Sequence, residues 1–312
     1  IAIGLWSITL GSGLNQGVDF VGGRSYQVRF DKTVSPQNVK ASLQDVFVDG
    51  ENAVSLEVKT FGEDNQLKIT TNYKVNETGT EIDDDIKKKL HEGLSSYLPT
   101  DMTIEKFIDG AEDKKVGIMK SIKVGPTIAD DIKKASFWAV LGSLVVVFLY
   151  ILLRFRRWQF SLGAVAAVFH DVLIVLGIFS LAWKYLPFTM EINQAFIAAI
   201  LTVIGYSLND TVVVFDRIRE FMNENTNWKF SKVVNAALNS TLSRTLNTSL
   251  TTLVVLLAIF IFGGESIRGF MFALIIGVIV GTYSSMFIAT PIMYDTIGKG
   301  DANKGLEEEV EA

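Results

Sequence analysis

The sequence predicts an α-helical bundle embedded in a membrane and joined to a small α+β domain outside the lipid. Hydrophobic residues make up 49% of the chain and the mean hydropathy is +0.32, yet 20% of the residues are charged. These values are compatible because the charge is segregated along the chain. We expect a polar domain at 13–134, an apolar domain at 135–298 and an acidic tail at 299–312.

Five apolar segments are long enough to cross a bilayer, which requires about 20 mostly apolar residues. They lie at 137–153, 158–183, 192–209, 245–264 and 269–294. Residues 1–12 begin with an apolar run that is too short to cross. We expect this run to be the outer end of a truncated first span, and the remnant of a signal peptide is the alternative.

The positions of arginine and lysine predict the orientation, because cytoplasmic loops carry an excess of these residues. Seven of them occupy alternate loops: Arg154, Arg156, Arg157, Arg217, Arg219, Lys229 and Lys232. We therefore expect these loops and the C-terminus to be cytoplasmic. Residues 13–134 would then be periplasmic in a cell with two membranes.

The outer domain is predicted to have the order β-α-β-β-α-β, which is typical of a ferredoxin-like sandwich. Strand patterns occur at 24–31, 53–60 and 66–73 and near 103–108 and 116–124, with helical patterns at 36–47 and 81–97. Within the second helix, the acidic run 83–85 is interpreted as a solvated first turn, where carboxylates suit the helix dipole.

Several classes of function are excluded by composition. The formal net charge of −5 gives no global basic field for nucleic acid. The absence of cysteine excludes disulfides and thiolate metal sites, and two histidines are too few for a His-rich metal site. No Walker-type glycine loop is present, and no nucleophile is paired with a base. We therefore expect neither an enzyme nor a cofactor, and the energy must come from a partner or from a gradient across the membrane.

Ionisable residues inside the spans are the most informative, because their burial in lipid is costly and is usually functional. Asp210 lies six residues before Asp216, at which the cytoplasmic loop is predicted to begin. At about 1.5 Å per residue, this places it roughly 9 Å deep. The alternative is that the span ends at Asn209 and that Asp210 is hydrated, although the apolar residues 212–215 continue the span.

Arg244 opens the fourth complete span and, with Thr248 and Thr251, forms a polar stripe at helical spacing; Asn247 is on the same face. This stripe is predicted to face a neighbouring helix, and an arginine that extends to the interface is the alternative. Asp210 and Arg244 can lie at a similar depth. A carboxyl group that exchanges one proton as an arginine approaches or leaves is the basic element of a proton relay.

Two further polar residues occur together in the second complete span. Asp171 lies 13 residues after Trp158, close to the middle of the membrane. It is either a second proton stop or a structural carboxylate bonded to helix hydroxyls. His170 is interpreted as a packed residue that forms interhelical hydrogen bonds. In the last span, Gly277 and Gly281 form a G-x-x-x-G pattern that permits close helix contact.

Residues 17–23, with Asp19, Phe20, Gly22 and Gly23, resemble the G-x-D-F-x-G-G signature of the SecD/SecF family. Residues 205–217 and 243–249 resemble the G-Y-S-x-N-D-T-V-V-x-x-D-R and S-R-T-x-x-T-S blocks of the SecF type. The V-G-P at 124–126 and the H-D-V at 170–172 also match.

The resemblance implies an RND-like six-helix fold and a role in late, proton-driven translocation of unfolded preproteins across the inner membrane. It implies that Asp210 and Arg244 are the family's charged pair. We expect Asp210, Arg244 and Asp171 to form the proton relay, with Asn209, Thr248 and His170 as supporting polar groups. The implied partners are a SecD half or subunit, a SecYEG-type channel and membrane lipid. A passive chain-holding scaffold and an RND-type exporter of lipids or small molecules are the alternatives.

Overall fold

The computed structural model describes residues 1–298 except 12, 49–53, 55, 78, 110–114 and 187, so the predicted tail at 299–312 lies outside the described residues. The helices are α1 Ala2–Thr9, α2 Val18–Val21, α3 Pro36–Gln44, α4 Thr80–Leu94, α5 Ile104–Ile108, α6 Pro126–Phe155, α7 Trp158–Ala182, α8 Gln194–Glu224, α9 Phe230–Phe262 and α10 Glu265–Ser284. The strands are β1 Gly23–Arg29, β2 Leu56–Phe61, β3 Glu63–Thr71 and β4 Gly117–Val124.

Five helices in the described part of the chain are long and apolar enough to cross a membrane, which confirms the number of complete spans predicted. They are α6 to α9 and the helix that comprises α10, a π-helical turn at Ser285–Ala289 and the residues that follow it. Four of the five helices are longer than their apolar segments, and α7 closely matches its segment. In particular, α8 continues to Glu224, so Asp216 lies in a helix and the prediction that it begins a loop is wrong.

The helix that contains the first complete span begins at Pro126, inside the region predicted as the outer domain, and is continuous for 30 residues. The charged residues 130–134 therefore occupy the same helix as the span. Pro126 fits the first helical position because its missing N–H would have no partner there. The helix ends at Phe155, and the next residue, Arg156, has a left-handed conformation (φ 57°) that turns the chain into α7.

The described residues of the region predicted to lie outside the membrane, for which we keep the name outer domain, form a four-stranded antiparallel sheet with the order β2-β3-β1-β4. Helices α3 and α4 follow β1 and β3 in the chain, and their apolar faces cover one side of the sheet. Along β1, Tyr26 and Val28 contribute to this core, and Ile86 and Leu90 of α4 are fully buried against it. The alternation of apolar residues in strands and their helical spacing in α4 thus bury one common face.

The strand predicted near 103–108 is wrong, because these residues form the short helix α5. The hydroxyl of Thr103 accepts a hydrogen bond from the Lys106 N–H (3.4 Å), and Glu105 lies in the first turn. A threonine cap with an acidic first turn favours a helix over a strand in so short a segment.

The interpretation of Asp83 as merely solvated is also wrong. Its carboxylate accepts hydrogen bonds from Arg24 Nε of β1 (2.6 Å) and from Lys123 Nζ of β4 (2.9 Å). The Arg24 side chain is only 3% exposed, so Asp83 neutralises a buried guanidinium. Partial burial alone would raise the pKa of Asp83, but the hydrogen bonds from Lys123 and Arg24 lower it below its ordinary value.

We expect Asp83→Asn to destabilise the outer domain by about 1–2 kcal/mol at neutral pH, because Arg24 loses its counter-charge. The pKa of Asp83 is lower in the folded state, so its contribution is complete above the unfolded pKa of about 3.9 and is lost as pH falls through the folded pKa. Hydrogen exchange of β1 and β4 in the full chain at several pH values measures this effect.

The control is Asp84→Asn, which removes the same charge from a neighbouring side chain that is 62% exposed. It should change exchange little. Equal effects of the two substitutions, or a wild-type advantage that does not shrink in acid, would contradict a specific role for Asp83.

The G-x-x-x-G pattern of the last span marks a close contact between α8 and α10. A Cβ added at Gly277 would overlap the side chain of Val203, and one at Gly281 would lie 2.9 Å from Ser207 Cβ. Helix α1 packs on α7 in a similar way, with Gly4 against Gly177 and a hydrogen bond of 2.8 Å between the hydroxyls of Ser7 and Ser180. Small residues therefore set the helix spacing that brings the polar side chains together.

Candidate functional site

Asp171 lies at the centre of three helices and is 1% exposed. Its Oδ2 accepts hydrogen bonds from Ser207 Oγ of α8 (2.6 Å) and Ser284 Oγ of α10 (2.8 Å). The Nδ1 atom of His170 lies 3.1 Å from its Oδ1. The buried carboxylate is thus surrounded by hydroxyl donors and one imidazole, and it joins α7 to α8 and α10.

Asp210 is 2% exposed and lies on the side of α8 that faces α9. Ser249 of α9 is 3.5 Å from its Oδ2, and Thr282 of α10 donates to Ser249 Oγ (2.6 Å). The structure therefore does not support the alternative in which Asp210 is a hydrated end residue. A short series of hydroxyls leads from α10 through α9 to this carboxyl.

The two carboxylates are held in one polar layer by residues of α8 and α10. Thr211 donates to Ser285 Oγ (3.0 Å), and Ser285 is adjacent in sequence to Ser284, which binds Asp171. The π-helical turn begins at this same Ser285. Such turns interrupt the regular hydrogen bonding of a helix and are frequent at functional sites. The layer therefore combines buried acids, hydroxyls and a local break in helix geometry.

Arg244 lies on α9, and its positive charge interacts electrostatically with the Asp210 carboxyl. No ion pair within 4.0 Å joins the two side chains, both of which the structure describes. Arg244, Asn209 and Thr248 are all exposed on the surface of the bundle, as are Asn247 and Thr251. The structure thus brings Arg244 near Asp210 but leaves the polar stripe of α9 open.

The segment with the predicted signature connects the outer domain to the bundle. Asp19 Oδ2 accepts a hydrogen bond from the Gln194 N–H at the start of α8 (3.1 Å), and Phe20 is buried in the membrane core. Gly22 and Gly23 have positive φ angles of 74° and 130°. A Cβ at Gly23 would lie 2.6 Å from the Thr71 carbonyl oxygen, so these positions require glycine.

A second contact between the two parts of the molecule was not predicted. Lys68 Nζ of β3 lies 2.7 Å from Glu191 Oε2, and these side chains are 16% and 4% exposed. Beside this pair, Gln16 and Ile192 form a β-bridge. We call these contacts, together with that of Asp19, the junction. The sequence does contain a signal for this contact, because Glu191 is an acidic residue that adjoins the apolar residues just before α8.

Metal binding finds no support in the part of the chain that the structure describes, where no group of three or more histidine and acidic residues could hold an ion. The chemistry available to the membrane layer is therefore that of carboxylates, hydroxyls, one imidazole and one guanidinium. Of these groups, a carboxylate that is buried in a membrane couples proton binding most directly to helix packing.

Two family descriptions match the chain. "Protein export membrane protein SecD/SecF, C-terminal" matches residues 103–299, and "SecD/SecF GG Motif" matches residues 8–34. The chain is 43% identical to the protein translocase subunit SecF of Rhodothermus marinus, over 94% of this chain and 87% of that protein. It is 38% identical to the SecF subunit of Thermodesulfovibrio yellowstonii, over 89% and 82% of the two chains.

The structure is also similar to solved SecDF structures. A crystal structure of SecDF from Thermus thermophilus, described as a translocon-associated membrane protein, matches with a TM-score of 0.74 and 29% identity over 94% of this chain. A SecDF structure in a super-membrane-facing form matches with a TM-score of 0.61 and 28% identity over the whole chain. This chain spans 36% and 38% of those two proteins.

Proposed function

The chain belongs to the SecD/SecF family of protein-export membrane proteins, and from this premise we propose that it is a proton-driven subunit that promotes late preprotein translocation. Its similarity to SecF subunits supports a role in protein translocation. In this proposal, the proton gradient supplies the energy and no cofactor takes part. The chain transmits movement rather than catalysing a reaction.

The observation that carries the proposal is the burial of Asp210 inside the bundle beside a hydroxyl series and near Arg244. A proton that binds there changes the charge of a group held away from water, and so changes which helix arrangement is favoured. A proton that crosses 100 mV yields about 2.3 kcal/mol, so that a few protons in each cycle could move a domain.

The junction supplies a route from Asp210 to the outer domain. Asp210 lies 16 residues along α8 from Gln194, whose N–H binds Asp19. At 1.5 Å per residue, the two points are roughly 24 Å apart on one continuous helix. Because Lys68 also binds Glu191 just before this helix, a displacement of α8 would act directly on β3 of the outer sheet.

The exposed polar stripe of α9 favours a membrane partner that covers it. Arg244, Asn247, Thr248 and Thr251 would otherwise face lipid, which is costly for polar groups. We propose that a SecD half or subunit packs here and that the assembly works beside a SecYEG-type channel. The solved SecDF chains are longer than this one, which leaves room for such a half.

We further propose that 13–134 is a ferredoxin-like periplasmic domain that engages the unfolded preprotein, and that 135–298 is an RND-like bundle in the inner membrane. The sheet order β2-β3-β1-β4 and the helices after β1 and β3 support the first assignment. The arginine-rich ends of α6 and α8 favour a cytoplasmic location for that side of the bundle. In this arrangement, the C-terminus lies on the cytoplasmic side.

The test is late export in reconstituted vesicles that contain the channel, its ATP-driven motor and this chain with its partner. ATP is retained, and the proton gradient is either kept or collapsed. We expect the chain to accelerate late export only with the gradient, and equal acceleration without it would favour a passive scaffold.

The double variant Lys68→Met/Glu191→Gln tests the junction in the same assay and leaves no unpaired buried charge. It should insert normally but lose most of this acceleration.

The matched control is Lys87→Met/Asp84→Asn, which removes an exposed ion pair of the same outer domain (3.5 Å) away from the junction. We expect it to keep the acceleration of the wild type. If the junction variant and this control behave alike, then the junction does not couple the two domains.

A further inference from the structure

A cavity of about 720 Å³ lies between the outer sheet and the bundle. One wall is formed by residues 56–60 of β2 and by Lys40 of α3. The opposite wall contains Leu14, Trp183 and Leu186, which pack against the membrane core. The cavity thus lies at the end of the bundle that carries the outer domain.

The charges that line the cavity are predominantly positive. Among the described residues that line it, Lys40, Lys59 and Lys184 face one acidic residue, Glu57, which leaves an excess of two positive charges. Glu57 already has partners, because its Oε1 lies 2.7 Å from Lys59 Nζ and accepts a hydrogen bond from Asn15 (3.1 Å). The described residues therefore supply fewer negative charges than positive charges in this space.

Trp183 adds a second, independent indication of a ligand. Its indole Nε1 is buried and has no hydrogen-bond partner among the residues that the structure describes. The ammonium groups of Lys59 and Lys184 both lie over its ring, 5.6 and 5.2 Å from the centroid. The two ammonium groups around this indole repel each other. An anion that accepts a hydrogen bond from the Nε1–H group would relieve this repulsion.

We propose that this cavity binds the phosphate-bearing headgroup of an anionic phospholipid. Tryptophan at the end of a membrane helix typically lies at headgroup level, which fits Trp183 just after α7. Leu14 and Leu186 offer an apolar surface for the adjoining glycerol and acyl carbons. The bound lipid would hold β2 against the membrane end of α7 and thereby support the junction.

The test is retention of lipid by the purified full chain in micelles with equal amounts of phosphatidylglycerol and phosphatidylcholine, followed by native mass spectrometry. We expect the wild type to retain phosphatidylglycerol preferentially. Lys59→Gln/Lys184→Gln should reduce this retention about tenfold or more, because each of the two lysines attracts the anionic headgroup electrostatically. Trp183→Phe, which keeps the ring and removes the N–H, should reduce it about fivefold.

The charge-matched control is Lys32→Gln/Lys88→Gln, in which both side chains are exposed elsewhere on the outer domain. It should retain lipid as the wild type does, and the thermal unfolding of each variant confirms folding. No lipid preference in the wild type, or an equal loss in the control, would overturn the proposal.

Separate arms of the experiment add inorganic phosphate and an unfolded acidic peptide. Displacement of the lipid by either one at low concentration would assign the cavity to a soluble anion or to a polypeptide instead.

This test is independent of proton coupling, because neither Asp210 nor Arg244 lines the cavity. Loss of lipid binding with normal proton-driven export would overturn the supporting role of the lipid at the junction. Loss of proton dependence with intact lipid binding would overturn the proposed function alone.

Discussion

Asp210→Asn is expected to abolish the gradient-dependent acceleration of export while leaving a folded protein at its normal level in the membrane. The amide has nearly the same shape and can still accept a hydrogen bond from Ser249, which is 3.5 Å from the carboxylate in the wild type. It cannot gain or lose a proton at physiological pH, so the charge of the layer stays fixed. Late export by the variant should match that of the wild type after the gradient is collapsed.

The control for this substitution is Asp216→Asn, six residues further along the same helix. Asp216 is 36% exposed and pairs with Arg154 (3.0 Å) and Arg219 (3.3 Å), so its change removes the same charge where water is accessible. It should retain most of the acceleration. Normal export by Asp210→Asn would show that Asp210 does not carry the proton.

Asp171→Val is expected to destabilise the bundle by about 3 kcal/mol. The substitution removes the acceptor of two serine hydroxyls and the partner of His170. Ser284 keeps the Gly281 carbonyl as an acceptor (3.2 Å), whereas the buried Ser207 hydroxyl loses the carboxylate that accepts its hydrogen bond. The measurement is unfolding of the purified chain in mixed micelles. Because α7, α8 and α10 meet at this residue, the loss should also appear as faster hydrogen exchange in all three helices.

A triple variant decides between the two interpretations of Asp171. Asp171→Val with Ser207→Ala and Ser284→Ala replaces the carboxylate and both serine hydroxyls by apolar groups and leaves only His170 of the cluster; such a replacement often restores stability when the role is structural. Since the carboxylate has hydrogen bonds to Ser207, Ser284 and His170, as a structural group would, we expect both stability and export to recover. Restored stability without export would instead make Asp171 a second proton stop.

The membrane architecture and the location of the acids were determined by the sequence alone. A helix that crosses lipid must be apolar over about 20 successive residues, so five spans and the unusual positions of Asp171 and Asp210 are visible in short windows. The signature at 17–23 is likewise local. Two predictions were wrong for local reasons. At 103–108, a threonine cap outweighed a strand pattern. At Asp216, the helix continues past its apolar part.

Only the tertiary structure decided which groups meet. Asp171 binds hydroxyls that are 36 and 113 residues away, Arg24 binds Asp83 across 59 residues, and Lys68 binds Glu191 across 123. No periodicity in the chain specifies such pairs, because they depend on how closely glycines let the helices approach and on how the outer sheet rests on the bundle. The local sequence determines whether a side chain is buried and on which face of its helix or strand it lies. The packing of distant segments determines which group it contacts.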